Sequence, residues 1–201
     1  MPIAVASFVF VVWLCVFVAW QLRRSNKRRT KMDDFLEAEK AANEVRKQEI
    51  DPALLYTPDL TLLPVAGSTG ALYQKIVQYA AQPMIRFPKK MSNLELKQQY
   101  GRAQIEVIAF YEENFQRYLS ALIKWAEALA DSGQKADAIR ILEHTVELGS
   151  EYRKSYLLLA DWYADTENAA EKSEALLSAA QACEFADEAV KQSIIKHLNA
   201  M

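Results

Sequence analysis

The stretch Leu122-Ile123-Lys124-Trp125-Ala126-Glu127-Ala128-Leu129 and its counterpart 34 residues on, Tyr156-Leu157-Leu158-Leu159-Ala160-Asp161-Trp162-Tyr163, decide how the chain is read. Leu122 aligns with Tyr156, Trp125 with Leu159, Ala126 with Ala160 and Leu129 with Tyr163. Within each copy the apolar residues recur three and four apart, which places them on one helical face. Upstream, Ile108, Tyr111, Phe115 and Tyr118 continue the same face. Gly133 and Gly149 punctuate the run as residues free to take a left-handed conformation at a helix end. The pattern predicts antiparallel helix pairs over about 92–132, 135–148, 151–165, 169–183 and 186–199, and hence an all-α class.

This spacing resembles the tetratricopeptide repeat, a helix pair recurring every ~34 residues. In the first unit Leu122, Trp125, Ala126, Leu129, Gly133, Ala138 and Leu142 match, while Thr145 and Ser150 replace the usual Ala and Pro. In the second, Tyr156, Leu159, Ala160 and Tyr163 match. Glu167 stands at the turn Gly, and Ala175, Ala179 and Ala182 align after a three-residue insertion. The resemblance covers about 119–185 and implies a repeat core of Leu122, Trp125, Leu129, Tyr156, Leu159 and Tyr163.

It also implies a concave partner groove at Ile123, Glu127, Lys154, Leu157 and Asp161, with Ser120, Ala130 and Ala164 beside them. Glu127 and Asp161 stand where a carboxylate-gripping member of the family would carry Asn, so a C-terminal carboxylate ligand is disfavoured. An amphipathic or basic peptide segment suits these positions better. The alternative is that they pack against the preceding helix or another part of the chain. Two such units bury their faces only when the ends are covered. The aromatic-rich segment 92–118 and the last helix, with Ile194, Ile195 and Leu198, can supply covers. Ser92-Asn93-Leu94-Glu95 opens the first of these as a capping box.

Before the helices, residues 51–91 change character. Pro52, Pro58 and Pro64 interrupt an apolar run that includes Leu54, Leu55, Tyr56, Leu60, Leu62, Leu63 and Val65. Proline removes amide donors and disfavours helix before it, so this is read as an extended strap. It either lies on the helical domain or is a free motif awaiting a partner. Gly67-Ser68-Thr69-Gly70 reads as a turn, a short helix is expected over 71–82, and 84–91 forms a second connection.

The N-terminal 1–22 read as an uncharged span followed at once by Arg23, Arg24, Lys27, Arg28, Arg29 and Lys31. Hydrophobic length and the positive-inside rule together predict a single-pass transmembrane anchor in the cell membrane with the C-terminal domain cytoplasmic. The basic flank would attract anionic lipid, and 23–50 would continue as a juxtamembrane helix. The segment EAEKAANEVR at 37–46, followed by the proline-rich strap, is similar to N-anchored membrane proteins of Gram-positive bacteria. That resemblance implies a setting and no chemistry.

Charge narrows the functional classes. All 26 acids follow residue 31, so 32–201 carry a net charge of about −8, which argues against nucleic acid as a partner. Cys15 and Cys183 define no disulfide framework. His144 and His197 have no metal-ligand spacing and read as surface or helix-end histidines. Glu112-Glu113, Asp33-Asp34 and Asp131 read as solvated carboxylates, with nothing to place two of them around one pocket. No nucleophile elbow or phosphate loop is present. The reading is therefore non-enzymatic, with no cofactor and no small-molecule substrate. A membrane-tethered scaffold that recruits protein partners is the first function expected. A receptor for a basic or amphipathic peptide in the groove is the second.

Overall fold

The computed structural model describes residues 2–65 and 70–200, with side chains from Trp13 onward apart from Asn26. The fold is all-α. Helices α1 (Pro2–Glu44), α2 (Ala71–Ala80), α3 (Asn93–Tyr100), α4 (Ile105–Asp131), α5 (Lys135–Glu147), α6 (Arg153–Tyr163), α7 (Ala169–Ala182) and α8 (Glu188–Leu198) follow one another. The expected turn at Gly67–Thr69 lies outside the described residues.

The expected transmembrane anchor is corrected. Among the described residues no helix is long and apolar enough to cross a membrane. From Arg23 to Glu44 α1 is mostly charged and polar, which a hydrocarbon core excludes. Of the expected span, 2–12 lies outside the residues whose side chains are described. The expected single-pass anchor, and the cell-membrane location with a cytoplasmic C-terminal domain read from it, are corrected on that finding. Arg23, Arg24, Lys27, Arg28, Arg29 and Lys31 are exposed along α1, and the Arg24 guanidinium lies 5.3 Å from the Trp20 ring centroid.

Two compact units emerge: residues 1–48 with 92–105, and residues 49–91 with 106–201. In the first, α1 packs on α3 through buried Ala42, Leu96 and Tyr100. Lys97 pairs with Glu39, and the Gln48 amide donates to the Tyr100 carbonyl at 2.9 Å. Ser92 and Glu95 form the capping box: the Ser92 amide donates to Glu95 Oε2 at 2.7 Å, and the Glu95 amide donates to Ser92 Oγ at 3.3 Å. Gly101, at φ 77°, stops α3 and separates it from a 3-10 turn (Arg102–Gln104) and α4. One long helix over 92–132 is thus two helices with a break at the glycine.

The second unit holds the main core. Leu122, Trp125, Ala126 and Leu129 on α4 are buried with Ala138, Ile141 and Leu142 on α5 and Tyr156, Leu159, Ala160 and Tyr163 on α6. Leu176, Ala180, Ile194 and Leu198 extend this core into α7 and α8, and α8 packs against both α6 and α7. The α4–α5 and α5–α6 turns share one device. Gly133 and Gly149 take φ of 85° and 80°, and the amides of Gln134 and Ser150 reach back to Leu129 and Thr145. These are six-to-one closures that satisfy carbonyls left over at a helix end.

The strap is docked on this unit. Asp51 and Asp59 cap two 3-10 turns, Pro52–Leu54 and Leu60–Leu62. Leu55–Tyr56 (β1) pairs antiparallel with Met84–Ile85 (β2), Leu55 opposite Ile85. Tyr56 meets Phe115 edge-on with centroids 5.4 Å apart, and Leu63 joins the core. The side chains that face away, Leu62 and Val65, are exposed.

Candidate interaction surfaces

The groove residues named from the repeat pattern do not form one open surface. Ile123 is buried. Glu127 on α4 pairs with Lys154 on α6, so these two charges answer each other within the domain. Leu157 is half-buried and Asp161 exposed. What remains accessible is therefore a short face on α6 bordered by the Glu127–Lys154 pair. The pair is partly exposed and contributes little stability, on the order of 1 kcal/mol or less.

Deeper in the helix pairs, polar groups lock the stack. Glu143 on α5 accepts from the Tyr163 hydroxyl at 2.9 Å and from Lys172 Nζ at 3.1 Å, joining three successive helices. Lys172 also lies 5.0 Å from the Tyr163 ring centroid. The buried Tyr156 hydroxyl donates to the Ser150 carbonyl at 2.9 Å. Burial raises the pKa of Tyr118, Tyr156 and Tyr163 well above the ordinary value of 10.0. Beside Tyr163, Glu143 adds to the effect.

His144 and His197 are less simple than surface histidines. The Nε2 atoms of both are buried without a hydrogen-bond partner among the described residues, while Nδ1 of His144 lies 3.8 Å from Glu147. Among the described residues no group of three or more His, Cys, Asp or Glu is placed to hold a metal ion. Comparison with protein-family models, with curated proteins and with solved structures gives no match.

The second unit holds a cleft of about 760 Å³, within the range usual for binding sites. Ile85, Phe115, Val146 and Leu148 line its apolar part. Four carboxylates, Glu112 and Glu147 from two helices and Glu151 and Glu184 from two connections, share it with the cations Arg86 and Lys90. Several of these are already engaged. Lys90 Nζ lies 2.5 Å from Glu151, the Lys90 amide donates to Glu184 at 3.0 Å, and the Ala186 amide donates to the other Glu151 oxygen at 2.6 Å. Arg86 donates to the Glu147 carbonyl at 3.3 Å. Partial burial raises the Glu112 pKa, and nearby Lys90 opposes the shift. Cys183 also lines the cleft, its Sγ 3.8 Å from the Gly149 carbonyl, and burial raises its thiol pKa.

Sequence reasoning missed this cleft. Glu112 reads from sequence as a solvated carboxylate with no companion, whereas the fold brings it to one concavity with three others. The contributing residues lie in four segments spread over 85–184. No local spacing connects them. The one available signal was the apolar-basic composition of the 84–91 connection, Met84-Ile85-Arg86-Phe87-Pro88-Lys89-Lys90-Met91.

Proposed function

We propose that the helical unit is a non-enzymatic adaptor that binds other proteins, built on tetratricopeptide-like helix pairs. The observation that carries this reading is the shared burial of the two aligned tetrads. Leu122, Trp125, Ala126 and Leu129 occupy one core with Tyr156, Leu159, Ala160 and Tyr163, so consecutive helix pairs use equivalent residues to stack. Such stacks act mainly by presenting surface. The acidic net charge of 32–201 favours basic partners through steering.

The second reading, a peptide receptor using the face of Leu157 and Asp161, has less support. Ile123 is buried and Glu127 is answered by Lys154, which leaves a narrow accessible strip.

Photo-crosslinking tests the adaptor. A benzophenone amino acid placed at Asp161 of the full chain should give a discrete protein adduct in cells, and the same group at exposed Glu174 on α7 should not. Equal labelling at both positions, or none at either, counts against a specific protein-binding surface on the helix pairs.

A further inference from the structure

We propose that the cleft between the 85–91 connection, α4, the α5–α6 turn and the end of α7 binds a peptide segment that presents a lysine or arginine beside a bulky apolar side chain. The inference rests on the adaptor reading and names the contact it would use.

Three features converge on this occupant. The first is apolar lining: Phe115, Val146 and Leu148 border a cleft of about 760 Å³ that is open among the described residues. A cleft of that size accommodates a few side chains of a partner. The second is the sign of its rim, four carboxylates against two cations. Both cations are held within the wall, Lys90 on Glu151 and Arg86 on the Glu147 carbonyl. Among the described lining residues carboxylates outnumber cations four to two, which disfavours an incoming anion. An incoming cation would meet Glu112 of α4 and Glu147 of α5 among the lining residues. The third is the state of Glu112: desolvation already opposes its charged form, so a cation that settles beside it relieves that opposition. A guanidinium is the better fit, because it hydrogen-bonds two carboxylate oxygens at once.

Glu151 and Glu184 have a different task. They accept from Lys90 and from the amides of Ala186 and Lys90, and so hold the 85–91 connection against α7 and the turn before α6. The cleft is therefore bounded by internal ties, and its binding carboxylates are Glu112 and Glu147.

The test uses the full chain and two fluorescent dodecapeptides with identical leucines, one carrying arginines and the other glutamates at the remaining positions. Anisotropy should show binding of the arginine peptide, weakened by salt. The glutamate peptide should bind at least about tenfold more weakly, the scale of a single charged hydrogen-bonded contact. The double variant E112Q/E147Q should lose about tenfold in affinity, whereas E171Q/E174Q, with the same change in net charge elsewhere, should not. Ala182 is exposed and lines the cleft, so Ala182→Trp should fill it and abolish binding while the melting temperature is kept. Binding should also slow maleimide labelling of Cys183, read apart from Cys15 by peptide mapping.

Equal affinity for the two peptides, equal loss in both double variants, or unprotected Cys183 at saturation would each overturn the proposal. Crosslinks at Asp161 with no arginine-peptide binding would remove the cleft and leave the adaptor standing. Protection of Cys183 without any Asp161 adduct would support the cleft and remove the α6 face.

Discussion

Tyr73 on α2 rests against Trp125 on α4, their ring centroids 5.2 Å apart and their planes tilted by 53°. This contact ties the short helix after the strap to the first aligned tetrad. Trp125 is 2 % exposed, so most of its area leaves water on folding. Trp125→Ala should destabilise the second unit by about 3–5 kcal/mol, the usual result for a large buried aromatic. Urea unfolding followed by circular dichroism measures it. A midpoint close to that of the parent chain would mean that the indole is not a core residue.

Gly101 has a different kind of constraint. A Cβ built there would meet the Arg46 carbonyl oxygen at 2.7 Å and that of Val45 at 2.8 Å, and its φ is +77°. Gly133 has φ +85° but nothing within 4 Å. Gly133→Ala should therefore cost only the conformational penalty, about 1–2 kcal/mol. Gly101→Ala adds a clash with backbone that cannot swing aside, for roughly 1–3 kcal/mol more. The added loss should be local to the α1–α3 unit. Hydrogen exchange of the Gln48 amide, which donates to Tyr100, should speed up in Gly101→Ala and stay unchanged in Gly133→Ala.

These two sites show what could be read in the sequence and what could not. The helix ends at Gly133 and Gly149 and the capping box at Ser92 depend on residues within six positions of each other, so local chemistry reveals them. The break at Gly101 also leaves a local mark, but its tight approach to Val45 and Arg46 depends on a segment more than fifty residues away. The cleft is the extreme case, since Arg86, Glu112, Glu147 and Glu184 meet only through tertiary packing. The apolar N-terminal run misled for the opposite reason. A run without charge reads as a span by composition, whereas no helix among the described residues is long and apolar enough to cross a membrane.

The network at Glu143 predicts coupled losses. Its carboxylate takes hydrogen bonds from both Tyr163 and Lys172. Tyr163→Phe and Lys172→Met should each cost about 0.5–1.5 kcal/mol. The double variant should cost less than their sum, because the second change removes a bond to a carboxylate already free to turn toward water. A thermodynamic cycle from urea midpoints checks the coupling. Strict additivity would mean that the two donors act independently.

High pH should unfold the chain earlier than its carboxylates and lysines alone would dictate. Tyr118, Tyr156 and Tyr163 have pKa values raised above 10.0, in each case first by burial. A raised folded pKa means that the folded state keeps a proton which the unfolded state gives up near pH 10. Stability from these three groups is therefore fully present below that pH and falls as pH rises above it. Removing the ionisable group removes the slope. Melting temperatures of the parent chain should decline between pH 10 and 12 more steeply than those of Tyr118→Phe. Tyr118 is the cleanest choice, since its buried hydroxyl has no hydrogen-bond partner among the described residues, unlike Tyr156, which donates to Ser150. Tyr118→Phe should accordingly be near neutral or stabilising at pH 7, and Tyr156→Phe destabilising by about 1–3 kcal/mol through the orphaned carbonyl. Parallel pH slopes for the parent and Tyr118→Phe would show that the hydroxyl reaches solvent before unfolding.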